Sequence, residues 1–190
     1  MKITEKIRKL AKKGCENSSM GKVFGLDAYN SHLIPVRDFA IKLARIYHAD
    51  REVVELAALL HDLQWIKDRK YEIHEITGAE NAVKVLRKFG YPEDKIQKVK
   101  ACILTHRGSK KSNRETIEQK IMASADAMDH INDIAHMFYQ VCKRREFKDA
   151  IKWTFAKLER GWKKIELPVG RKIVRKKYII ARNFFKAFLK

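Results

Sequence analysis

Apolar residues return every three or four positions along almost the whole chain, the period of a helix with one buried face. Ile3, Ile7 and Leu10 predict a short amphipathic helix over residues 2–13, stopped by Gly14, with a polar loop over 14–25 after it. Between Asp27 and His48 the apolar positions are Leu33, Val36, Phe39, Ala40, Leu43 and Tyr47. Pro35 fits only a first helical turn, so that helix proper begins near His32. Asp50 is a capping residue for a third helix, whose run Val53-Val54-Glu55-Leu56-Ala57-Ala58-Leu59-Leu60 ends at His61-Asp62. Residues 64–73 read as a polar, aromatic connection. Glu75 or Thr77 opens the next helix, with Ala79, Ala82, Val83, Leu86 and Phe89 on one face. Gly90 closes it, and Pro92 opens another that carries Ile96, Val99, Ile103 and Leu104. A basic loop, Arg107 to Asn113, precedes one helix from Thr116 to about Gln140. From Phe147 two more amphipathic stretches follow, broken at Leu167-Pro168-Val169-Gly170. Their apolar faces are Ile151/Phe155/Leu158/Trp162 and Val174/Tyr178/Ala181/Phe185/Leu189. No segment alternates with the period of a strand. The pattern predicts an all-α bundle over residues 1–142 and a helical extension over 143–190 that packs on it.

Charge changes the picture at the extension. Residues 143–190 hold 17 of the 42 Lys and Arg but 4 of the 23 Asp and Glu, a net of +13 against +6 for the rest. Such a surplus attracts polyanions. Two readings stand: lysines turned to water around an apolar stripe, or a nucleic-acid-binding face with Trp153, Trp162 and Tyr178 for stacking. The longest wholly apolar run, Leu56 to Leu60, falls far short of the roughly 20 residues a membrane span needs. Charges at Lys2, Glu5, Lys6 and Arg8 stand where a secretory signal needs an apolar core. Cys15, Cys102 and Cys142 have neither metal nor redox spacing, so reduced thiols and a cytoplasmic location are expected, with Cys102 in the core. Oligomeric state has no counterpart in the pattern.

The candidate chemistry sits at the end of the third helix. An imidazole and a carboxylate on one helical turn, His61-Asp62, can reach the same cation. His32, His74, His106 and Asp126 accompany them. Neutral imidazole with carboxylate suits Mn, Fe, Co, Ni or Zn. Asp126 lies in Met122-Ala123-Ser124-Ala125-Asp126-Ala127-Met128, small residues that bury it, and a buried carboxylate needs a cation beside it. That cation is a metal or one of the many lysines. His48, His130 and His136 read as surface or hydrogen-bonded histidines without a metal role.

The order His32, His61-Asp62, Asp126 resembles the HD-domain superfamily of metal-dependent phosphohydrolases, over about residues 26–135. Ser31-His32 to Leu43-Ala44, Leu56 to Asp62, His74-Glu75-Ile76-Thr77-Gly78-Ala79-Glu80, Ile103 to Gly108 and Ala123 to Asp129 resemble successive blocks of that family. The resemblance implies an all-helical HD bundle and one divalent ion, Mn, Co, Ni, Fe, Zn or Mg, on His32, His61, Asp62 and Asp126. In two-metal relatives Asp62 would bridge to a second ion at His74 and His106. Those relatives often carry adjacent histidines where this chain has His106-Arg107, and Ile-Gly where it has Leu63-Gln64, so one-metal and two-metal forms both stand. Alternatively His74, His106 and Arg107 meet a phosphate, which the guanidinium fork suits.

The implied reaction is hydrolysis of a phosphoester or phosphoanhydride of a small phosphorylated molecule, a nucleotide foremost, by metal-activated water. Asp62, His74, His106 and Arg107 are the catalytic candidates. Arg107, Lys110, Lys111 and Arg114 are the substrate-binding ones. Asp68, Glu75 and His74 are candidate proton shuttles. The alternative is a nucleic-acid-binding protein that uses the basic helices, its metal site structural or acting on nucleic-acid ends. A minority of two-iron sites in this superfamily oxidise their substrates with oxygen.

Overall fold

The computed structural model describes residues 1–18, 28–68, 71–108 and 113–189, all helical or joining helices, with no strand among them. The expected loop over 14–25 and the start of the second helix at Asp27 lie largely outside the described residues. Helix α1 (Ile3–Glu16) runs through Gly14 instead of ending there. A Cβ on Gly14 would stand 2.8 Å from Leu63 Cδ1, so this glycine lets another helix approach and does not break its own. That neighbour is α4 (Leu63–Asp68), where a connection was expected; Leu63 and Ile66 are fully buried, and their burial makes the segment helical.

A π-helical turn (Tyr29–Leu33) carries His32 into α2 (Ile34–Ile46), with Pro35 in the first turn as its ring requires. His48 leaves α2 in a left-handed conformation (φ 53°), exposed to solvent. Helix α3 (Arg51–Leu60) is capped by the Asp50 carboxylate, which accepts from the Glu52 and Val53 amides at 3.1 and 3.2 Å. Val53, Val54 and all five residues from Leu56 to Leu60 are buried, so α3 is the central helix, enclosed by its neighbours on nearly every side.

Helix α5 (His74–Lys88) starts at His74 itself, and α6 (Glu93–Leu104) packs against it and α3. Thr116 and Gln119 form a reciprocal capping box at the start of α7 (Ile117–Asn132). The single long helix expected to Gln140 divides at Asp133 into α7 and α8 (Ile134–Cys142). Asn132 and Asp133 are weak helix formers; Lys177, a tertiary partner, takes the Asn132 carbonyl at 3.2 Å and its side chain at 2.5 Å, and locally the Asp133 carboxylate accepts from His136 at 2.9 Å.

The extension forms α9 (Phe147–Lys164) and α10 (Pro168–Ala187), both packed on α7 and on each other. The break falls at residues 165–167, and Pro168 opens α10. Ile151, Leu158, Val174, Tyr178, Ala181 and Phe185 are buried as their spacing predicts; Leu189 is exposed, and Phe155 and Trp162 are half-buried. Trp162 stacks on Tyr178, ring centres 4.0 Å apart and 5° from parallel. Two of the three aromatics considered for nucleic-acid bases thus stack on each other. Cys15 and Cys102 are buried thiols, and no helix among the described residues is long and apolar enough to cross a membrane.

Gly78 fixes how closely α5 approaches α3. A Cβ there would lie 2.6 Å from the His61 carbonyl oxygen, a backbone atom with no freedom to yield. Gly78→Ala is therefore expected to destabilise the fold by about 1–3 kcal/mol. It should also lower the metal stoichiometry, because the same displacement moves His74 away from Asp62; thermal unfolding and elemental analysis of the purified variant check both.

Candidate metal centre

Four helices and one turn deliver six ligand-type side chains to one place. His32 comes from the π turn, His61-Asp62 from the end of α3, His74 from the first residue of α5, His106 from just past α6, and Asp126 from the middle of α7. His61, His74, His106 and Asp126 are buried. The His32 and Asp62 side chains keep 18% and 14% of their surface, so the opening to solvent lies over these two.

Asp62 organises the centre. Its Oδ2 is 3.5 Å from His32 Nε2 and 3.6 Å from His61 Nε2. Its Oδ1 is 3.6 Å from His74 Nε2 and 3.7 Å from His106 Nε2. Asp126 Oδ1 completes the first group, 3.6 Å from His32 Nε2 and 3.9 Å from His61 Nε2. Donors bound about 2.1 Å from one ion stand roughly 3.0–3.5 Å apart across an octahedral or tetrahedral edge, and both groups come near that spacing. Asp62 Oδ1 is buried without a hydrogen bond, and a cation between it and the two imidazoles would satisfy it. The residues therefore fit a metal at two groups, His32, His61 and Asp62 at the first and Asp62, His74 and His106 at the second, while Asp126 clusters with His32 and His130 beside the first.

The hydrogen bonds on the far side of each ring select the right nitrogen. His61 Nδ1 donates to the Ala58 carbonyl at 2.9 Å and His106 Nδ1 to the Ile103 carbonyl at 2.6 Å, which leaves each Nε2 with a bare lone pair facing the cluster. His32 Nδ1 donates to Asp129 Oδ2 at 2.8 Å. The ligand nitrogens also approach one another, with 3.2 Å between His32 Nε2 and His61 Nε2 and 3.3 Å between His74 Nε2 and His106 Nε2. Burial opposes charge on His32, but the hydrogen bonds to Asp129 and Asp62 outweigh it and raise its pKa to about 10. Burial lowers His61, and lowers His106 to about 3 with the help of His61. Burial also works to raise Asp62 and Asp126, yet His61 and His32 around the first, and Lys164 and His130 around the second, hold both well below the usual carboxylate range.

The candidate substrate residues are placed differently from one another. Arg107 Nη1 donates to Glu75 Oε2 at 2.8 Å and to the Glu72 carbonyl at 2.7 Å, and Glu75 lies 3.9 Å from His74 Nδ1. Arg114 braces the chain, donating to the Thr105 and Arg107 carbonyls at 2.9 and 3.1 Å and to Glu166 at 2.6 Å. Lys110 and Lys111 lie outside the described residues, as does the side chain of Asp68.

Three contributors escaped the sequence reading. Asp129, buried beneath His32, fixes that ring. His130 sits 3.5 Å from Asp126 Oδ1 and stacks on His32 at 5.3 Å, so it joins the rim of the first group instead of standing apart. Asp126, Asp129 and His130 at i, i+3 and i+4 share a helix face, and that spacing was a readable signal. Lys164, from α9, forms a buried ion pair with Asp126 Oδ2. Nothing in a tail of 17 basic residues singled it out. His136 bonds Asp133 and Gln140, away from the centre.

A helical bundle that gathers paired histidine–aspartate groups with an opening to solvent is the frame of a metal-dependent hydrolase. The chain belongs to the HD domain family: that family's model matches residues 29–131, more than half of the sequence and all six ligand-type residues. It is accordingly a metal-dependent phosphohydrolase. Solved structures share the fold. Bacillus subtilis YpgQ superposes with a TM-score of 0.71 at 20% identity, covering 97% of this chain and 92% of that one. YpgQ in complex with ADP gives 0.68 at 20%, covering 97% and 94%. A predicted HD superfamily hydrolase from an uncultured Thermotogales bacterium gives 0.68 at 21%, covering 97% and 90%. No curated protein matches the chain in sequence.

Because His32 is protonated in the metal-free protein below about pH 10, a metal must displace that proton. Affinity should thus rise with pH through the neutral range and level off near pH 10, with about one proton released per ion bound at the first group. Calorimetry in buffers of different ionisation enthalpy measures this. Asp129→Asn should weaken metal binding by about 10–100-fold by loosening the ring.

Proposed function

We propose that the protein hydrolyses a phosphoester or phosphoanhydride bond of a small phosphorylated molecule, with nucleotides as the substrate class. The observation that carries this reading is Asp62, whose two oxygens each face a pair of imidazole nitrogens while one of them lacks any hydrogen bond. Support for the nucleotide comes from YpgQ, a relative in fold that was crystallised with ADP.

In this reading His32, His61, Asp62 and Asp126 hold one divalent ion and Asp62, His74 and His106 a second. When bound, such an ion supplies a Lewis acid for the phosphoryl oxygens and lowers the pKa of water. The protein's own groups do the rest. Asp62 and Asp126 stay ionised. His61 and His106 stay neutral with Nε2 turned inward. Glu75, anchored by Arg107, sets His74. The partly open His32 and Asp62 mark the side from which substrate enters. Arg107 then serves the centre by positioning Glu75, where the sequence offered it as a direct phosphate contact.

The test is a phosphate-release screen over nucleoside mono-, di- and triphosphates with Mn, Co, Ni, Fe, Zn or Mg added. Turnover of at least one nucleotide is expected, and Asp62→Ala and His61→Ala should lose more than about 100-fold, beyond the usual effect of removing an outer partner. Full activity in Asp62→Ala, or no release from any nucleotide with any metal, would overturn the proposal. His74→Ala or His106→Ala should reduce bound metal from two ions to one.

A further inference from the structure

Helix α9 runs antiparallel to α7, and three residues fix the register. Lys164 Nζ meets Asp126 Oδ2. The stem of Lys164 fills the space left by Gly108, where a Cβ would stand 2.8 Å from Lys164 Cδ. Gly161 lies over α7, its Cβ position 3.9 Å from the Ala127 carbonyl oxygen and from Ile131 Cγ1. One turn before Gly161 on the same face, seven residues before Lys164, stands Lys157. Lys157 is half-buried, and among the described residues it has no hydrogen-bond or ion-pair partner. The charges acting on it are Asp126, Lys164, Asp62 and Arg160, and His130 feels it in turn.

A half-buried ammonium with no such partner is free to meet an anion that comes to it. Asp126 is already engaged by Lys164 through one oxygen and faces the histidines with the other. The positive charge of Lys157 is therefore surplus at the rim of the centre, and lysine is a point-charge binder of phosphate. We propose that Lys157 binds the phosphate of the substrate, so that the basic extension supplies one wall of the active site through α9. This inference rests on the phosphohydrolase reading for the identity of the anion, and on the packing of α9 for its place.

Three variants of the full chain, loaded with metal, test it: Lys157→Met, Lys157→Arg and, as a control for lost charge, Lys152→Met on the exposed face of α9. Inorganic phosphate is the probe, by calorimetry and as an inhibitor, alongside KM and kcat for whichever nucleotide turns over. Lys157→Met should weaken phosphate binding and raise KM by about 10-fold or more. Its bound metal and thermal midpoint should match the parent protein. Lys157→Arg should recover part of the loss, and Lys152→Met should behave as the parent. Equal phosphate affinity and KM in Lys157→Met and Lys152→Met, or a parent protein that binds no phosphate, would overturn the assignment. If no nucleotide is hydrolysed yet phosphate binding still depends on Lys157, the catalytic reading fails and the anion site stands.

Discussion

A carboxylate buried between two pairs of imidazole nitrogens is stable only with positive charge beside it, and Asp62 is such a carboxylate. Its position determines much of the surrounding packing. Helix α3 has to be enclosed on nearly all sides so that its last turn opens inside the protein, and its unbroken apolar run achieves this. Gly78 has to be a glycine so that α5 can rest on the His61 carbonyl and bring His74 to the buried Oδ1 of Asp62. The carbonyls of Ala58 and Ile103 then hold His61 and His106 with the ligand nitrogen facing inward.

Helix α7 connects this centre to the rest of the molecule. One face supplies Asp126, Asp129 and His130. Across it lies α9, whose Lys164 neutralises the outer oxygen of Asp126 in a buried ion pair. Breaking such a pair by removing one partner costs about 3–5 kcal/mol, so the extension and the metal centre are energetically coupled. The matched family region ends at residue 131, before Lys164. The solved structures of similar fold cover 97% of this chain, so their likeness takes in most of the extension as well.

Most helices were legible because burial of an apolar stripe dominates where a helix forms. The misreadings share one cause. By backbone preference Gly14 and Pro168 read as breaks, yet Gly14 makes room for Leu63 and Pro168 opens a helix. The split at Asp133 depends on Lys177, 45 residues away, reaching the end of α7. Local propensity is a weak prior when a distant side chain completes the hydrogen bonds of a helix end.

By itself the sequence determined that the protein is helical and that the positive charge gathers in the last quarter, and it offered His32, His61, Asp62, His74, His106 and Asp126 as candidate ligands. Helical periodicity and side-chain chemistry are local properties and can be read from a single chain. Tertiary structure alone decided which oxygen of Asp62 faces which histidines, that Arg107 turns to Glu75, and that Lys164, out of 42 basic residues, reaches Asp126. Nearly all of those contacts join residues 12 to 44 positions apart, set by how helices pack, and no spacing along the chain encodes them.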